Sequence, residues 1–167
     1  MRVYLPATFS MLKALAVDGE MPVRSGYGFA VTPALREFYT AGDEEEIAHS
    51  AFEDAALASI RLLAIGEEQF PHRRVVVSVD VDDAVVDLQP EMGESVLKLD
   101  PALIRFDQVA AIHVDTEANE EYTAKAIEVI DEADLGQEDA ELCVGDALDQ
   151  FMAWYDPSEL SALVELL

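Results

Sequence analysis

Alternation of apolar and polar positions predicts several β-strands along this chain. In the segment RRVVVSVDVDDAVVDL, residues 73–88, every second residue from Val75 to Val81 is a valine. The positions between these valines become polar towards Asp80 and Asp82. Because neighbouring side chains of a strand point to opposite faces, this pattern is typical of a half-buried strand that reaches solvent at its end. Further strands are predicted in RVYLP, GYGFAVT, SVLKL and VAAIHV.

Apolar residues three and four positions apart predict helices between these strands. The longest is DEEEIAHSAFEDAALASIRLLAIG, where Asp43 can cap the first turn and Gly66 follows the last one. Its pattern places Ala51 and Phe52 on the core face and His49 on the solvated side. Shorter helices are predicted after Thr8, after Thr32, and within residues 117–136, 141–155 and 157–167.

The order of the predicted elements is strand, helix, strand, two helices, three strands and then helices. This order favours an α/β fold with a mixed β-sheet of about five strands and helices mainly on one face. An α+β arrangement is the alternative. The early strand–helix–strand units favour parallel pairing through right-handed crossovers, and the three consecutive later strands favour antiparallel pairing. The length of 167 residues and the lack of a linker-like segment predict a single domain over residues 1–167.

The charge of the chain is strongly negative and unevenly distributed. The chain has 35 acidic and 10 basic residues, a formal net charge of −25 at pH 7. Residues 1–42 contain four basic and three acidic residues, so the negative excess lies beyond position 42. Such a surface repels phosphate backbones and anionic lipid, so we expect no nucleic acid and no membrane as partner. The one basic cluster, His72–Arg74, is interpreted as the solvated start of a strand, with an anion site as the alternative.

One cysteine and an interrupted apolar pattern at the N-terminus indicate a cytoplasmic protein. Cys143 has no second cysteine with which to form an internal disulfide, which fits a reducing compartment. The first segment lacks the continuous apolar stretch of a signal peptide, because Pro6, Ser10 and Lys13 interrupt it. No apolar run approaches the ~20 residues that a membrane-spanning helix requires.

Two carboxylates at the end of the valine strand raise the question of a metal site. Asp80 and Asp82 lie on one face of the strand, as pairs that hold a divalent cation do. The rest of the sequence does not complete a known arrangement, since a phosphatase-like site also needs a partner lysine and a Ser/Thr motif downstream. We therefore expect that the strand leaves the core here, that Asp80 and Asp82 are exposed, and that they hold no metal or cofactor.

His113 and Asp115 alternate at the end of a later strand, VAAIHVD. A histidine can act as a general base, and a carboxylate on the same face of the strand can orient it. The alternative is a structural histidine that is hydrogen-bonded at a strand end. The pair is the candidate catalytic site of this chain.

The C-terminal segment AWYDPSELSALVELL is more apolar than the ends of most chains. Leu163 and Leu167 share one helix face, and Trp154 and Tyr155 precede the turn at Asp156. A helix this short is unstable by itself in water, so its apolar face must be buried. We expect it to dock on its own domain. Burial against a second copy is the alternative, which makes the two leucines and the two aromatic residues candidate interface residues.

Several segments together resemble one protein family. These segments are MRVYLPAT, AVTPALREFY, AALASIRLL, RRVVVSVDV, VAAIHVD and WYDPSEL. They are similar to a family of short actinobacterial proteins classed as a domain of unknown function. The resemblance extends over most of the chain and implies a cytoplasmic bacterial protein. It implies no activity, cofactor or site residue.

These patterns favour a non-enzymatic, acidic accessory or interaction protein, with an unidentified protein partner or self-association. No nucleophile–base pair, metal motif or phosphate-binding loop is complete enough to define an activity. Whether the chain has any catalytic activity stays open. The alternative function is that of a small enzyme or ligand-binding domain with a carboxylate and histidine site at strand ends. Its residues would be Asp80, Asp82, His113 and Asp115.

Overall fold

The computed structural model describes residues 1–66 and 71–166. The described residues form nine strands: β1 (Arg2–Ala7), β2 (Glu20–Pro22), β3 (Tyr27–Phe29), β4 (Val75–Asp80), β5 (Val86–Leu88), β6 (Val96–Leu99), β7 (Leu103–Arg105), β8 (Val109–Asp115) and β9 (Met152–Tyr155). They also form six α-helices: α1 (Phe9–Asp18), α2 (Pro33–Phe38), α3 (Glu44–Gly66), α4 (Glu120–Asp134), α5 (Glu138–Leu148) and α6 (Leu160–Glu165). None of these helices is both long and apolar enough to cross a bilayer.

Seven of the strands form one sheet in the order β5-β6-β3-β1-β4-β8-β9, and β2 pairs with β7 in a separate small sheet. The predicted α/β class is confirmed, with seven strands in the main sheet instead of about five. The parallel pairing predicted for the early strands is wrong, because β1 runs antiparallel to both β3 and β4. If α1 led directly into the next strand of the sheet, that strand would run parallel to β1. Instead β2 and the turn at Arg24–Gly26 follow α1 and reverse the chain once more, so β3 runs antiparallel to β1.

The helix starts follow the predicted capping residues. The Thr8 side chain accepts a hydrogen bond from the Met11 amide (3.4 Å), which caps α1. Asp43 caps α3 by accepting from the Glu46 amide (2.9 Å). These bonds satisfy amide groups that the first turn of a helix leaves without partners. At the other end of α1, Gly19 takes a φ of 72°, a left-handed conformation that glycine adopts without steric cost.

One face of the main sheet is covered by α1, α6 and the small sheet. Alternate residues of β1 and β4, such as Leu5 and Val77, point to this face and are fully buried. Leu12 and Leu15 of α1 belong to the same cluster of buried apolar side chains. Because apolar burial is the dominant favourable term in folding, we expect this face to contribute strongly to the stability of the fold.

The opposite face is covered by α3, which contacts β1, β3 and β4. Ala55 and Ala56 of α3 share an apolar cluster with Val76 of β4. Helices α4 and α5 pack against each other and against α3, where Ile60 of α3 and Ile130 of α4 belong to one cluster. A smaller cluster joins α2 to α3. Four of the six described helices therefore lie on this side of the sheet, in agreement with the prediction.

The C-terminal region differs from the prediction in one element. The helix predicted over residues 141–155 ends at Leu148, and Met152–Tyr155 form β9, which runs antiparallel to β8. Pairing with β9 satisfies backbone groups of β8 that would otherwise lie at an open edge, so a tertiary contact overrides the helical spacing. The final helix docks on its own chain as expected, since Leu160 and Leu163 are buried in the cluster beneath α1.

Candidate functional site

A groove runs between α3 and the strands β8 and β9, on the α3 side of the main sheet. Its deeper part is a cleft of about 560 Å³, lined by residues of α3, β8, β9 and the segment that joins α5 to β9. A shallower hollow of about 340 Å³ continues from it towards Tyr4 and Trp154. His49, Phe52 and His113 line both parts. We call the two parts together the aromatic groove, and the deeper part the cleft.

His113 lies where the cleft and the hollow meet. In the register of the sheet it stands between Val76 of β4 and Trp154 of β9. Its Nε2 lies 3.2 Å from the Ser78 hydroxyl oxygen. The Phe52 ring meets the imidazole edge-on, with 4.8 Å between the ring centroids. These contacts hold the imidazole in one orientation at the groove.

His113 is uncharged at neutral pH. Burial disfavours its protonated form, and the positive charge of Arg2 acts in the same direction, so the pKa of His113 falls from 6.5 to about 4. A neutral imidazole has one nitrogen that donates a hydrogen bond and one that accepts. The groove therefore offers a ligand a polar group without charge at this point.

Asp115 belongs to a different hydrogen-bond network. Its buried carboxylate faces Arg74, whose Nη2 lies 2.6 Å from Oδ1 and whose Nε lies 3.0 Å from Oδ2. The Arg74 amide also donates to Oδ2 (2.8 Å), as does the Thr123 hydroxyl (2.7 Å). Asp115 thus anchors the start of β4 and helix α4 to β8. The two residues predicted as a catalytic pair are near in sequence, but His113 contacts Ser78 while Asp115 holds Arg74.

Asp80 and Asp82 are exposed near the end of β4 and make separate contacts. The Arg2 Nε lies 2.6 Å from Oδ1 of Asp80, and this hydrogen bond holds the pKa of that carboxyl below its usual value. Asp82 accepts a hydrogen bond from the Ala84 amide (2.9 Å) and caps a short turn. Among residues 1–66 and 71–166, no group of three or more histidine, cysteine, aspartate or glutamate side chains is placed to hold a metal ion.

The four candidate interface residues have different surroundings. Trp154 lines the hollow of the aromatic groove and is 57% exposed. Its neighbour Tyr155 packs against the apolar cluster beneath α1, on the other face of the sheet. Leu163 is buried in that cluster, and Leu167 lies outside the described residues. Of the three residues that the structure describes, Trp154 is the most accessible to a partner.

Carboxylates and a second exposed aromatic ring surround the groove. Phe151 lines the cleft and is 73% exposed. Glu53 and Asp149 line the same cleft, and Glu45 lines the hollow. Arg2, which also lines the hollow, is paired with Asp80. Glu53 lies 3.3 Å from Nε2 of His49, whereas Glu45 and Asp149 form no ion pair among the described residues. The rim therefore combines negative charge with ring faces, and both features attract cations.

Sequence reasoning misses several residues of this site. It interprets Arg74 as solvated, whereas the structure buries it. His49 is exposed as predicted, but sequence reasoning does not place it at the groove. A signal for Arg74 exists, because it directly precedes the valine strand, whose residues from Val75 to Val79 are buried, and a buried arginine requires a carboxylate such as Asp115. No local signal brings Phe151 to the cleft, since its position depends on the pairing of β9 with β8.

The fold and the groove together define an α/β protein with an antiparallel sheet, helices on both faces and an open groove beside its longest described helix. The chain belongs to a family of unknown function, DUF6912, whose sequence profile matches residues 1–164. This finding confirms the resemblance to a domain of unknown function. No curated protein and no solved structure matches the chain.

Proposed function

We propose that this protein is a non-enzymatic interaction protein that binds an extended, basic segment of a partner protein in the aromatic groove. The observation that carries the proposal is the exposure of two aromatic residues along the aromatic groove, Phe151 (73%) in the cleft and Trp154 (57%) in the hollow. Tryptophan and other large aromatic residues often anchor protein interfaces, because they supply much contact area with few rotatable bonds. The proposed setting is the cytoplasm, in keeping with a chain whose one cysteine forms no internal disulfide.

The basic character of the partner follows from the charges at the groove. Glu45, Glu53 and Asp149 line it, whereas Arg2 and Arg74 are each held by an aspartate. A lysine or arginine of the partner gains from these carboxylates and from an aromatic ring face, and a cation–ring contact contributes about 0.5–2 kcal/mol. The net charge of −25 also speeds the approach of a basic partner and repels acidic ones.

The extended form of the partner segment follows from the order of the strands. β9 is the last strand on its side of the main sheet and pairs only with β8 among the described strands. A strand with a free edge can accept another chain through main-chain hydrogen bonds, while neighbouring pockets select its side chains. Trp154 lies on β9 itself, so a segment bound along this edge would pass beside the exposed indole.

Selection from a library of random displayed peptides tests the proposal even while the natural partner is unidentified. We expect the protein to enrich peptides that carry lysine or arginine next to an aromatic residue. The enriched peptides should bind Trp154→Ala at least about tenfold more weakly, because loss of an interface anchor typically costs about 2 kcal/mol or more. Calorimetric titration measures both affinities, and added salt should weaken binding because it screens the carboxylates.

Phe38→Ala is the matched control for this experiment. Phe38 is an aromatic residue of α2 with similar exposure, 62%, and it does not line the groove. Its removal should leave peptide affinity unchanged. Enrichment of acidic peptides, or equal affinity of the wild-type protein and Trp154→Ala, would contradict the proposal. Sedimentation of a dimer that Trp154→Ala abolishes would replace the basic partner by self-association.

A second candidate function, that of a small enzyme or ligand-binding domain, is favoured by the contact between Ser78 and His113. A histidine within hydrogen-bond reach of a serine hydroxyl, here 3.2 Å, resembles the start of a nucleophile–base arrangement. Two observations oppose an enzyme of this kind. Ser78 is only 2% exposed, and Asp115 faces Arg74 instead of His113. We expect no reaction of Ser78 with a fluorophosphonate probe. Labelling that Ser78→Ala and His113→Gln both abolish would favour the enzyme.

A further inference from the structure

Arg74 lines the cleft although its side chain is only 1% exposed. Its Nε and Nη2 donate to Asp115, and Nη2 also donates to the Gln150 carbonyl (3.0 Å). The third guanidinium nitrogen, Nη1, has no acceptor among residues 1–66 and 71–166. In this part of the chain, every polar side-chain atom that is fully buried has a hydrogen-bond partner. Because Nη1 has none, it is not fully buried, and a ligand in the cleft can reach it. The cleft therefore contains a hydrogen-bond donor that has no acceptor within the described part of the chain.

Apolar side chains surround this donor. Phe52, Ala56, Leu148 and Met152 line the cleft, and the neutral His113 adds a second uncharged polar group. A volume of about 560 Å³ falls within the range of small-ligand sites. Such sites combine apolar walls with a few polar groups that fix the orientation of the ligand.

The charges around Arg74 disfavour a charged ligand. The guanidinium charge is matched by Asp115, and Glu53 and Asp149 add two carboxylates to the lining of the cleft. A carboxylate or phosphate ligand would meet this negative charge. A small cation would gain from Glu53 and Asp149, but inside the cleft it would face the guanidinium and leave Nη1 without an acceptor. A lysine or arginine of the partner can instead meet these carboxylates at the rim. An uncharged oxygen satisfies the donor and adds no charge.

We infer that the cleft binds an uncharged amide, whose carbonyl oxygen accepts a hydrogen bond from Nη1 of Arg74 and whose apolar substituent contacts Phe52 and Met152. In the complex proposed above, this amide belongs to the bound segment of the partner. That assignment of its source rests on the proposed function. The preference for an uncharged amide rests only on the lining of the cleft.

Three small probes of nearly the same shape test the inference: benzamide, benzoate and benzamidinium. Trp154 is the only tryptophan of the chain and pairs with His113 in the sheet, so its fluorescence reports on binding at the groove. We expect benzamide to bind at least about tenfold more tightly than either ion, an effect of the size that one hydrogen bond to a charged group provides. Tighter binding of benzamidinium or of benzoate would overturn the inference.

Nuclear magnetic resonance connects the binding to Arg74 itself. In the wild-type protein, the Nε–H resonance of Arg74 should shift as benzamide is added and stay in place with benzamidinium. An Arg74 resonance that does not move with benzamide would overturn the inference, and this measurement needs no variant that might misfold. Arg74→Lys keeps a positive charge opposite Asp115 but lacks Nη1, so benzamide should bind it at least about tenfold more weakly. Asp146→Asn, the control, removes an exposed carboxylate of α5 that does not line the groove, and it should retain the preference for benzamide.

The two proposals fail under different results. Peptides that require Trp154, combined with an Arg74 resonance insensitive to benzamide, would uphold the interaction protein and reject the amide site. Benzamide binding at Arg74 without any peptide selected through Trp154 would uphold the amide site and reject the interaction protein.

Discussion

The face of the main sheet beneath α1 and α6 and the face beneath α3 differ in what fills them. Beneath α1 and α6, one large cluster of buried apolar side chains extends across the sheet. Beneath α3, the apolar contacts fall into smaller clusters, and buried polar groups lie among them, including Ser59, Ser78 and the Arg74–Asp115 pair. This second face also carries the aromatic groove.

The difference teaches how the fold separates stability from recognition. An apolar layer gains free energy without directional requirements, whereas a buried polar group must keep its hydrogen bonds. Ser59 illustrates the second case, because its hydroxyl donates to the Ala7 carbonyl (2.8 Å) and accepts from the Val75 amide (3.0 Å). Such bonds fix the position of α3 on the sheet and so maintain the shape of the groove. Substitutions on the two faces should therefore have distinguishable effects.

The largest effect is expected from breaking the buried ion pair on the α3 side. Arg74→Met leaves the Asp115 carboxylate buried without its cation, and we expect the free energy of unfolding to fall by about 3–5 kcal/mol. Urea unfolding measures this loss. Arg74→Met combined with Asp115→Asn removes the buried charge but keeps an acceptor for Thr123, so it should recover part of the stability. A double variant less stable than the single one would show that the charge is not what destabilises Arg74→Met.

The next largest effect should arise on the apolar face. Leu163 is 4% exposed beneath α1, and Leu163→Ala should cost about 2–5 kcal/mol because it removes buried apolar atoms and leaves a cavity. Leu166, on the same helix end, is 81% exposed, and Leu166→Ala should change stability by less than about 0.5 kcal/mol. Equal losses in urea unfolding would contradict the docking of α6 on its own chain.

A smaller loss should follow from adding volume to the same face. A Cβ atom at Gly28 would lie 2.8 Å from side-chain carbons of both Val3 and Leu5, so Gly28→Ala should destabilise by about 1–3 kcal/mol. A Cβ at Gly145 of α5 meets nothing within 4 Å, and Gly145→Ala should stabilise by up to about 1 kcal/mol through helix propensity. Thermal melts compare the two variants. A harmless Gly28→Ala would show that this face has space to adjust.

A pH-dependent effect is expected on the α3 side. The pKa of His113 is about 4 in the folded protein and near 6.5 in the unfolded chain, so the unfolded chain binds more protons between these values. The stability that His113 contributes is therefore fully present above pH 6.5 and is lost as the pH falls towards 4. His113→Gln should flatten this part of the dependence in urea unfolding at about pH 7, 5.5 and 4.5. If the free energy of unfolding of His113→Gln depends on pH as that of the wild-type protein does, then His113 binds a proton as readily in the folded protein as in the unfolded chain.

The smallest effect on stability is expected from the exposed indole of the groove. Trp154→Ala should lower the free energy of unfolding by only about 1–2 kcal/mol, because more than half of the side chain is already in solvent. The same variant should lose the binding of selected peptides. A large destabilisation would make Trp154 a structural residue and would weaken the contrast between the two faces.

Local elements of the fold are predictable because their signals lie within a few residues. The cap at Asp43 and the alternation from Val75 to Val81 each determine an element without reference to the rest of the chain. Pairing is not predictable in this way. The strand at Met152–Tyr155 has helical spacing in sequence and becomes β9 only because β8 lies beside it.

The candidate site shows the same division. His113 is identifiable from its place at a strand end, but its partner is not, because its contact with Ser78 depends on the register between β4 and β8. Asp115 is identifiable as a strand-end carboxylate, yet it holds Arg74, a residue 41 positions away along the chain. Sequence patterns describe which residues are available, and the fold decides which of them meet.

The sequence by itself determined the α/β class, the starts of the first three helices, the apolar side of the valine strand and the strong negative charge. These properties arise from neighbouring residues or from composition, so they do not depend on distant contacts. Only the tertiary structure decided that Arg74 is buried at a cleft with one nitrogen that no described residue accepts from, and that Phe151 and Trp154 lie along the same groove. Hydrogen-bond partners and clefts depend on strand register and on where a helix rests on a sheet, and both are set by contacts between residues far apart in the chain.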